Sequence, residues 1–346
     1  MANLKSLAKD TAIYGLSSIA ARFIGYLLVP IETVKFNAAG GQYGIITNIY
    51  AYVALLIILL TYGMETTFFR FMNRQGEDAE KVYATTLRLV ATTSVLFIAL
   101  VALFLHPIAD GIGYPDHPEF IMIMGACVAI DAFINIPLAY LRYAHRPVKF
   151  VSIRLISIVV NIVGVLLYLV VFPYFKINFL GLYDENFSLH VVYVFWIELA
   201  GSIITLFFLG KELKGFRFPF DKATCKRMLN YTWPLLIMGL AGQLNQTASQ
   251  IIFPWMYNGN AQEARMELGI YGACIKLAMI MVIITQAFRY AYEPFVFGKT
   301  KDKDNKETYA KAMKFYIIFT LLAFLSVMAY MDILRYIVGK SYSQGL

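Results

Sequence analysis

Nine long apolar segments follow one another along this chain, and this succession limits the possible folds more than any other feature. Each segment has about 20 residues or more, which is the length at which an α-helix crosses the ~30 Å hydrocarbon core of a bilayer. Backbone groups find no water in lipid, so each segment is expected to be helical. The segments cover residues 11–35, 45–69, 84–106, 119–141, 151–173, 189–210, 231–256, 268–293 and 314–338.

The composition supports a membrane protein. Hydrophobic residues make up 59% of the 346 residues and charged residues only 15%, against roughly 45–50% and 25% in soluble domains. The loops between segments are short and leave no room for a sizeable soluble domain. The sequence therefore predicts an all-α, polytopic membrane helix bundle with nine transmembrane helices.

The positive charges are distributed unevenly between the two sides of the predicted bundle. Most of the 30 Lys and Arg residues lie before the first segment or in every second loop after it. Basic loops face the cytoplasm, so the N-terminus is predicted to be cytoplasmic. The net charge of +8 is then a topology signal, and nucleic-acid binding is not needed to explain it.

Motifs for metals, disulfides and cofactors are missing from the sequence. The three cysteines, Cys127, Cys225 and Cys274, are scattered, which favours neither a disulfide framework nor a zinc site. The histidines are not paired at metal-ligand spacing, and there is no glycine-rich phosphate loop. No metal and no cofactor is therefore predicted, and any transport must be passive or driven by a gradient.

The sequence contains a possible internal repeat. Aligning the Tyr-Gly pair that begins at Tyr43 with the pair that begins at Tyr271 places Glu65 on Glu293 without a gap. Six helices per copy would give both copies the same orientation, as in transporters built from parallel repeats. The sequence thus predicts a two-lobed transporter.

The predicted lobes have unequal length in this chain. Residues 1–210 form an N-terminal six-helix lobe, residues 211–228 a basic cytoplasmic linker, and residues 229–346 a partial C-terminal lobe of three helices. A symmetric protein would need about three more helices in the second lobe. We therefore expect the second lobe to be incomplete and the chain to be a fragment.

Several charged residues fall inside the apolar segments, where each costs ~2.5–3.5 kcal/mol on insertion scales. Such groups face a cavity or a partner rather than lipid. Arg22, Lys276 and Arg289 are candidates for binding an anionic ligand, best a phosphate in the case of Arg22. The alternative for Arg22 is a structural ion pair with Asp131 or Glu198.

Acidic residues in or at the ends of these segments are candidates for gating or ion coupling. Glu65 and Glu293 close equivalent segments near the predicted cytoplasmic side, and Asp131 and Glu198 lie deeper. The alternative for the first two is a simple ion pair: Glu65 with a loop lysine, and Glu293 with Arg289 at i, i+4. The sequence is compatible with both a gating role and a simple ion pair.

A polar stripe marks the segment 231–256. Gln243, Gln246 and Gln250 follow an i, i+3, i+7 pattern and share one helical face. Facing a water-filled lumen, these amides could hydrogen-bond the hydroxyls of a sugar. The alternative is hydrogen bonding between packed helices.

Four features together resemble a known family. They are the mid-segment arginine Arg22, LLVP at 27–30, YG at 43–44 and the G-x-E-x-x-x-x-R pattern at 63–70. Through these features the chain is similar to polysaccharide biosynthesis proteins, which are flippases for lipid-linked O-antigen or capsule units. Their superfamily also holds lipid II flippases and multidrug and toxin extruders.

The resemblance implies a bacterial inner-membrane transporter of two six-helix lobes that works by alternating access. Its substrate would be a polyprenyl-pyrophosphate-linked oligosaccharide, moved from the cytoplasmic to the outer leaflet for O-antigen, lipopolysaccharide or capsule synthesis. Arg22, and more weakly Lys276, match cavity positions that meet the pyrophosphate. Membrane lipids, a coupling ion (H⁺ or Na⁺) and other polysaccharide assembly proteins are the partners implied.

Two other functions are weighed against this one. A multidrug or cation antiporter of the same superfamily would use an acidic, aromatic pocket around Asp131 and Glu198, and Arg22 and Lys276 argue against it. A membrane enzyme would need a long external loop or paired catalytic residues, and the sequence has neither.

Overall fold

The fold is built from helices, and no β-strand occurs among the residues described here, which confirms the predicted all-α class. The computed structural model describes residues 26, 28–178, 181–183, 188–298 and 305–342, without the side chains at 280, 283–298, 305–309 and 311–312. The main helices are α1 (Leu28–Lys35), α2 (Gln42–Thr61), α3 (Met64–Met72), α4 (Ala79–Leu103), α5 (Pro118–Tyr143), α6 (Pro147–Leu166), α7 (Val191–Phe208), α8 (Lys222–Met256), α9 (Ala261–Gly298) and α10 (Asn305–Ala329).

The predicted count of nine membrane-crossing helices is not confirmed. Within the described part, five spans are long and apolar enough to cross a bilayer, or six if the pair Met313–Ala329 and Met331–Ile337, bent by 60°, is one span. Helices α8 and α9 are long but are not among these spans. The five are Gln42–Met72, Ala79–Leu103, Pro118–Tyr143, Pro147–Phe175 and Val191–Phe208.

The outer faces of these spans are apolar. Large side chains such as Val95, Leu103 and Phe207 are exposed on them. Water would make such surfaces unfavourable, whereas acyl chains would solvate them. The chain is therefore a multi-pass membrane protein.

The segment predicted as one helix over 45–69 is broken between α2 and α3. Tyr62 and Gly63 both adopt the left-handed conformation, with φ values of 36° and 71°, which is uncommon for a bulky residue. The Thr232 hydroxyl donates to the carbonyl of Tyr62 at 2.7 Å. Because the freed backbone group has a protein partner, the break is tolerated inside the bundle.

Helices α2 and α9 pack with their backbones in close approach. A Cβ on Gly44 would overlap the carbonyl oxygen of Arg265, and a Cβ on Gly272 would overlap the Thr47 side chain. These two glycines are the ones that the proposed repeat aligns. Their shared interface fits the repeat, although the two-lobe division over 1–210 and 229–346 stays a prediction.

The loops divide between two ends of the bundle. We call the end with loops 73–78, 144–146 and 209–221 the basic end, and the end with loops 36–41 and 257–260 the opposite end. By the positive-inside rule the basic end is predicted to be cytoplasmic.

The predicted linker packs against the first helices at the basic end. Glu212 begins a 3₁₀ helix and its buried carboxylate accepts from the Lys149 ammonium at 2.6 Å. Helix α8 then starts at Lys222, inside the predicted linker, because the Asp221 carboxylate caps it by accepting from the N–H of Ala223. The Thr224 hydroxyl and this backbone N–H hold the pKa of Asp221 below its usual value.

Candidate functional site

A cavity of about 450 Å³ with polar and apolar lining residues lies between two sets of helices: those of residues 28–208, which we call the first half, and α8 with α9, which we call the second half. Helices α1, α2, α6 and α7 line it from the first half, and α8 and α9 from the second. Its volume is within the range of ~300–1,000 Å³ that is typical of small-molecule sites.

Five residues predicted from the sequence line this cavity. The i, i+3, i+7 spacing of Gln243, Gln246 and Gln250 places all three on one face of α8, and that face is turned toward the cavity. Lys276 comes from α9 and Glu198 from α7. The structure thus brings a cation, an anion and three carboxamides into one polar space.

Glu198 is held in place by side chains from two other helices. Its carboxylate accepts from the Asn161 amide of α6 and from the Tyr50 hydroxyl of α2, the latter at 3.4 Å. Sequence reasoning missed both partners because nothing local in the chain marks them. The carboxylate is therefore a positioned group and not a mobile one.

Lys276 lies beside an aromatic ring. Its Nζ is 5.9 Å from the centroid of Tyr26, close to the limit of a cation–π contact. The Tyr26 hydroxyl donates to the Met279 sulfur at 2.7 Å, which fixes the ring against α9. Within the described part of the chain, no carboxylate lies within 4.0 Å of the Lys276 ammonium.

Glu32 is the main cavity residue that the sequence analysis missed. It belongs to α1 and faces the cavity together with Lys276 and Glu198. A signal existed, since Glu32 falls within the predicted segment 11–35 and could have been counted among its intramembrane charges.

Asp131 does not line the cavity and belongs to a separate cluster. Its carboxylate accepts from the Ser202 hydroxyl at 2.7 Å and from the Cys127 thiol at 3.7 Å. Ser202 is one turn beyond Glu198 on α7. The cluster of Asp131, Ser202 and Cys127 therefore lies next to the cavity, but none of its members lines it.

Glu65 also lies outside the cavity. It lies in the first turn of α3, shortly after the break at Gly63, and accepts from the Arg142 guanidinium at 2.5 Å. Arg142 lies over the rings of Phe69 and Phe150. The partner of Glu65 is thus an arginine at the end of α5, and not the loop lysine considered from the sequence.

Three predicted site residues cannot be placed. Arg22 lies outside the described residues. Arg289 and Glu293 fall in α9, but their side chains lie outside the description. Among the residues that are described, no group of three or more His, Cys, Asp or Glu could hold a metal ion.

A set of contacts closes the cavity toward the opposite end. The N–H of Gly339 donates to the Thr33 hydroxyl at 3.0 Å, and the Tyr342 hydroxyl donates to the carbonyl of Phe36 at 2.5 Å. The buried Tyr342 ring packs edge-on against Tyr43, which lines the cavity. We call residues 338–342 the C-terminal strap.

The loop before α5 joins this closure. Arg265 of α9 donates to the carbonyl of Gly113 at 2.9 Å and lies over the Tyr114 ring. Tyr114 in turn donates to Asn48 of α2 at 3.1 Å. Burial raises the pKa of Tyr114 well above its ordinary value, so its hydroxyl stays a neutral donor.

A helical membrane bundle with a polar cavity between its halves has the architecture of a membrane transporter. The sequence profile of the polysaccharide biosynthesis proteins matches residues 7–292, so this chain belongs to that family. No curated protein sequence matches the chain.

Solved structures show the same fold at low sequence identity. One is described as the inward-facing conformation of a multidrug resistance MATE family transporter of the MOP superfamily; it has a TM-score of 0.64 and 14% identity, over 96% of this chain and 74% of that one. A MATE structure in the straight conformation gives a TM-score of 0.55 at 14% identity, over 96% and 73%. At this identity the likeness concerns the fold alone.

Proposed function

We propose that this protein is a flippase for lipid-linked oligosaccharides. It would move an oligosaccharide joined through pyrophosphate to a polyprenyl carrier from the cytoplasmic to the outer leaflet of a bacterial inner membrane. The motion would be alternating access, with the N-terminus in the cytoplasm. The product would serve surface polysaccharide synthesis, such as O-antigen, lipopolysaccharide or capsule, together with other assembly proteins.

The observation that carries the proposal is the shared cavity of Lys276 and the α8 glutamines. An ammonium group binds phosphate oxygens as a compact charge, and carboxamides both donate to and accept from sugar hydroxyls. Both halves of the bundle line the cavity, which is where transporters built from repeats place their substrates. The polyprenyl chain would stay in the surrounding lipid.

The remaining predicted residues take supporting roles in this proposal. Arg22 and Arg289 would add positive charge for the pyrophosphate. Glu198, held by its neighbours at the cavity wall, would bind the coupling ion, H⁺ or Na⁺. Asp131, Glu65 and Glu293 remain proposed gating or coupling residues of the same cycle.

Replacing Lys276 tests the proposal directly. In proteoliposomes, Lys276→Ala is expected to reduce flipping of a fluorescent polyprenyl-pyrophosphate saccharide by at least about tenfold, as the loss of one charged phosphate contact implies. Lys35→Ala, at the exposed end of α1, is the matched control and should transport normally. Arg22→Ala should also lower flipping at an unchanged protein level. Normal flipping by Lys276→Ala would refute the assignment of the cavity.

The alternative is a multidrug or cation antiporter of the same superfamily. One observation favours it: two carboxylates, Glu32 and Glu198, line the cavity against one described cation, Lys276. An antiporter would export organic cations and confer drug resistance on cells. Cells that express the protein should instead show no change in drug resistance and should depend on it for surface glycan.

A further inference from the structure

Glu32 and Lys276 carry opposite charges into the cavity from opposite halves of the bundle. Glu32 comes from α1 and Lys276 from α9, and both side chains line the same space. No ion pair within 4.0 Å joins them in the described structure. The two charged side chains therefore line one cavity without a direct contact.

The two carboxylates of the cavity differ in their hydrogen-bond partners. Glu198 accepts hydrogen bonds from Tyr50 and Asn161. The Glu32 carboxylate has no hydrogen-bond or ion-pair partner among the described side chains, although it lies beside the same cavity. Charge interactions connect it to Lys276 and to Glu198.

An ammonium group inside a membrane bundle needs a compensating negative charge, because the cost of burying an isolated ion amounts to several kcal/mol. Glu198 is held in place by hydrogen bonds from two neutral neighbours, so its carboxylate is not free to move onto the ammonium group. Among the described acidic residues that line the cavity, Glu32 is the one whose charge acts on Lys276. Glu32 therefore adds negative charge to the cavity without a fixed contact, beside the hydrogen-bonded Glu198.

We propose that Glu32 is the resident counterion of Lys276 and that the anionic cargo displaces it. This inference rests on the proposed function, since it takes the cargo to be a pyrophosphate. The cargo competes with Glu32 for the ammonium group, and the carboxylate takes its place again when the cargo leaves. Glu32 thereby weakens binding and speeds release.

The same competition predicts how binding depends on the ligand. Only the protein fraction whose Lys276 is free of Glu32 can bind an anion, so pairing with Glu32 weakens every competing ligand by the same factor. Removing the Glu32 charge should therefore tighten the binding of a pyrophosphate and of a monophosphate equally. A change that differs between the two ligands would instead reflect plain repulsion, which grows with the charge of the ligand.

Binding measurements on the protein in nanodiscs test the inference, with farnesyl pyrophosphate and farnesyl monophosphate as probes and empty nanodiscs as the blank. Glu32→Gln should bind farnesyl pyrophosphate about tenfold more tightly and farnesyl monophosphate by a similar factor. Its transport should show a lower KM and also a lower kcat, because release slows. Glu32→Asp, which keeps the charge, should behave like the unchanged protein.

A double-mutant cycle separates this role from plain repulsion. With Lys276→Ala present, Glu32→Gln should gain much less affinity, about twofold or below, since the freed ammonium group is absent. An equal gain in both backgrounds would mean that Glu32 only repels the ligand. A loss of affinity in Glu32→Gln would mean that Glu32 keeps Lys276 charged. Either result overturns the counterion role.

The cycle also distinguishes failure of this inference from failure of the proposed function. If Lys276→Ala binds farnesyl pyrophosphate as well as the unchanged protein, the cavity is not the pyrophosphate site and the proposed function fails. If Lys276→Ala weakens binding but Glu32→Gln does not tighten it, only the counterion role fails. Glu80→Gln, on the exposed first turn of α4, is the control for removing a carboxylate elsewhere.

Discussion

The two ends of the bundle are held together in different ways. At the opposite end, segments far apart in sequence meet: residues 33–43 bind the C-terminal strap, and the loop around Gly113 binds Arg265. At the basic end the described contacts join the linker and the start of α8 to the helices that precede them. The contacts at the opposite end join the two halves that line the cavity. The contacts at the basic end hold the segment that connects these halves.

This difference has a mechanical consequence. Opening the cavity toward the opposite end requires α9 and the strap to part from α1 and α2. The contacts of the linker at the basic end can persist through such a motion, because they involve the beginning of α8 and not its cavity-lining half. The conformation described here is therefore the one that is closed at the opposite end.

Locking the opposite end should have the largest effect. The N–H of Ala38 donates to the Ser341 hydroxyl at 3.3 Å, so these positions are neighbours across the closure, and cysteines placed there are expected to form a disulfide. In a background with Cys127, Cys225 and Cys274 replaced by serine, the oxidised double variant should lose transport nearly completely. Reductant should restore it, and the single-cysteine variants should stay active. Full transport by the cross-linked protein would contradict the closure.

Weakening the basic end should affect stability more than access. The Glu212 carboxylate is almost fully buried and forms an ion pair with Lys149, which is partly exposed. Glu212→Gln should lower the free energy of unfolding by about 2 kcal/mol, since the carboxylate that accepts two charge-assisted hydrogen bonds from Lys149 becomes a neutral, weaker acceptor. Thermal unfolding in detergent measures this.

The exposed Glu80→Gln should leave the unfolding temperature unchanged. Labelling of a cavity cysteine at Thr47 from the opposite end should not increase in Glu212→Gln. An increase there would mean that the linker also controls the opposite end.

The fold was predictable because apolar length is a property of the sequence alone. The segments 84–106 and 119–141 correspond to α4 and α5 within a few residues. The break at Tyr62 was not predictable, because a hydroxyl from α8, 170 residues later, satisfies its carbonyl. The early start of α8 had a local signal, since Asp221 is a favoured cap residue.

The site was only partly predictable for a related reason. The α8 glutamines repeat at helical spacing, so their shared face could be derived without neighbours. Asp131 and Glu198 look equivalent in the sequence, yet one lies behind the wall and the other lines the cavity. Which side of a buried helix faces a cavity depends on how its neighbours pack, and nothing in a single apolar segment records that.

The smallest expected effect comes from one hydroxyl group in the closure. Tyr342→Phe keeps the ring against Tyr43 but removes the hydrogen bond to the carbonyl of Phe36. This loss should favour opening by about 1 kcal/mol, or about fivefold in the equilibrium. Labelling of a cysteine at Thr47 from the opposite end should rise by that factor, while Tyr174→Phe, whose side chain is exposed, should not change it. Unchanged labelling in Tyr342→Phe would contradict this role of the strap. It would indicate that the close packing of α2 against α9 sets the barrier to opening.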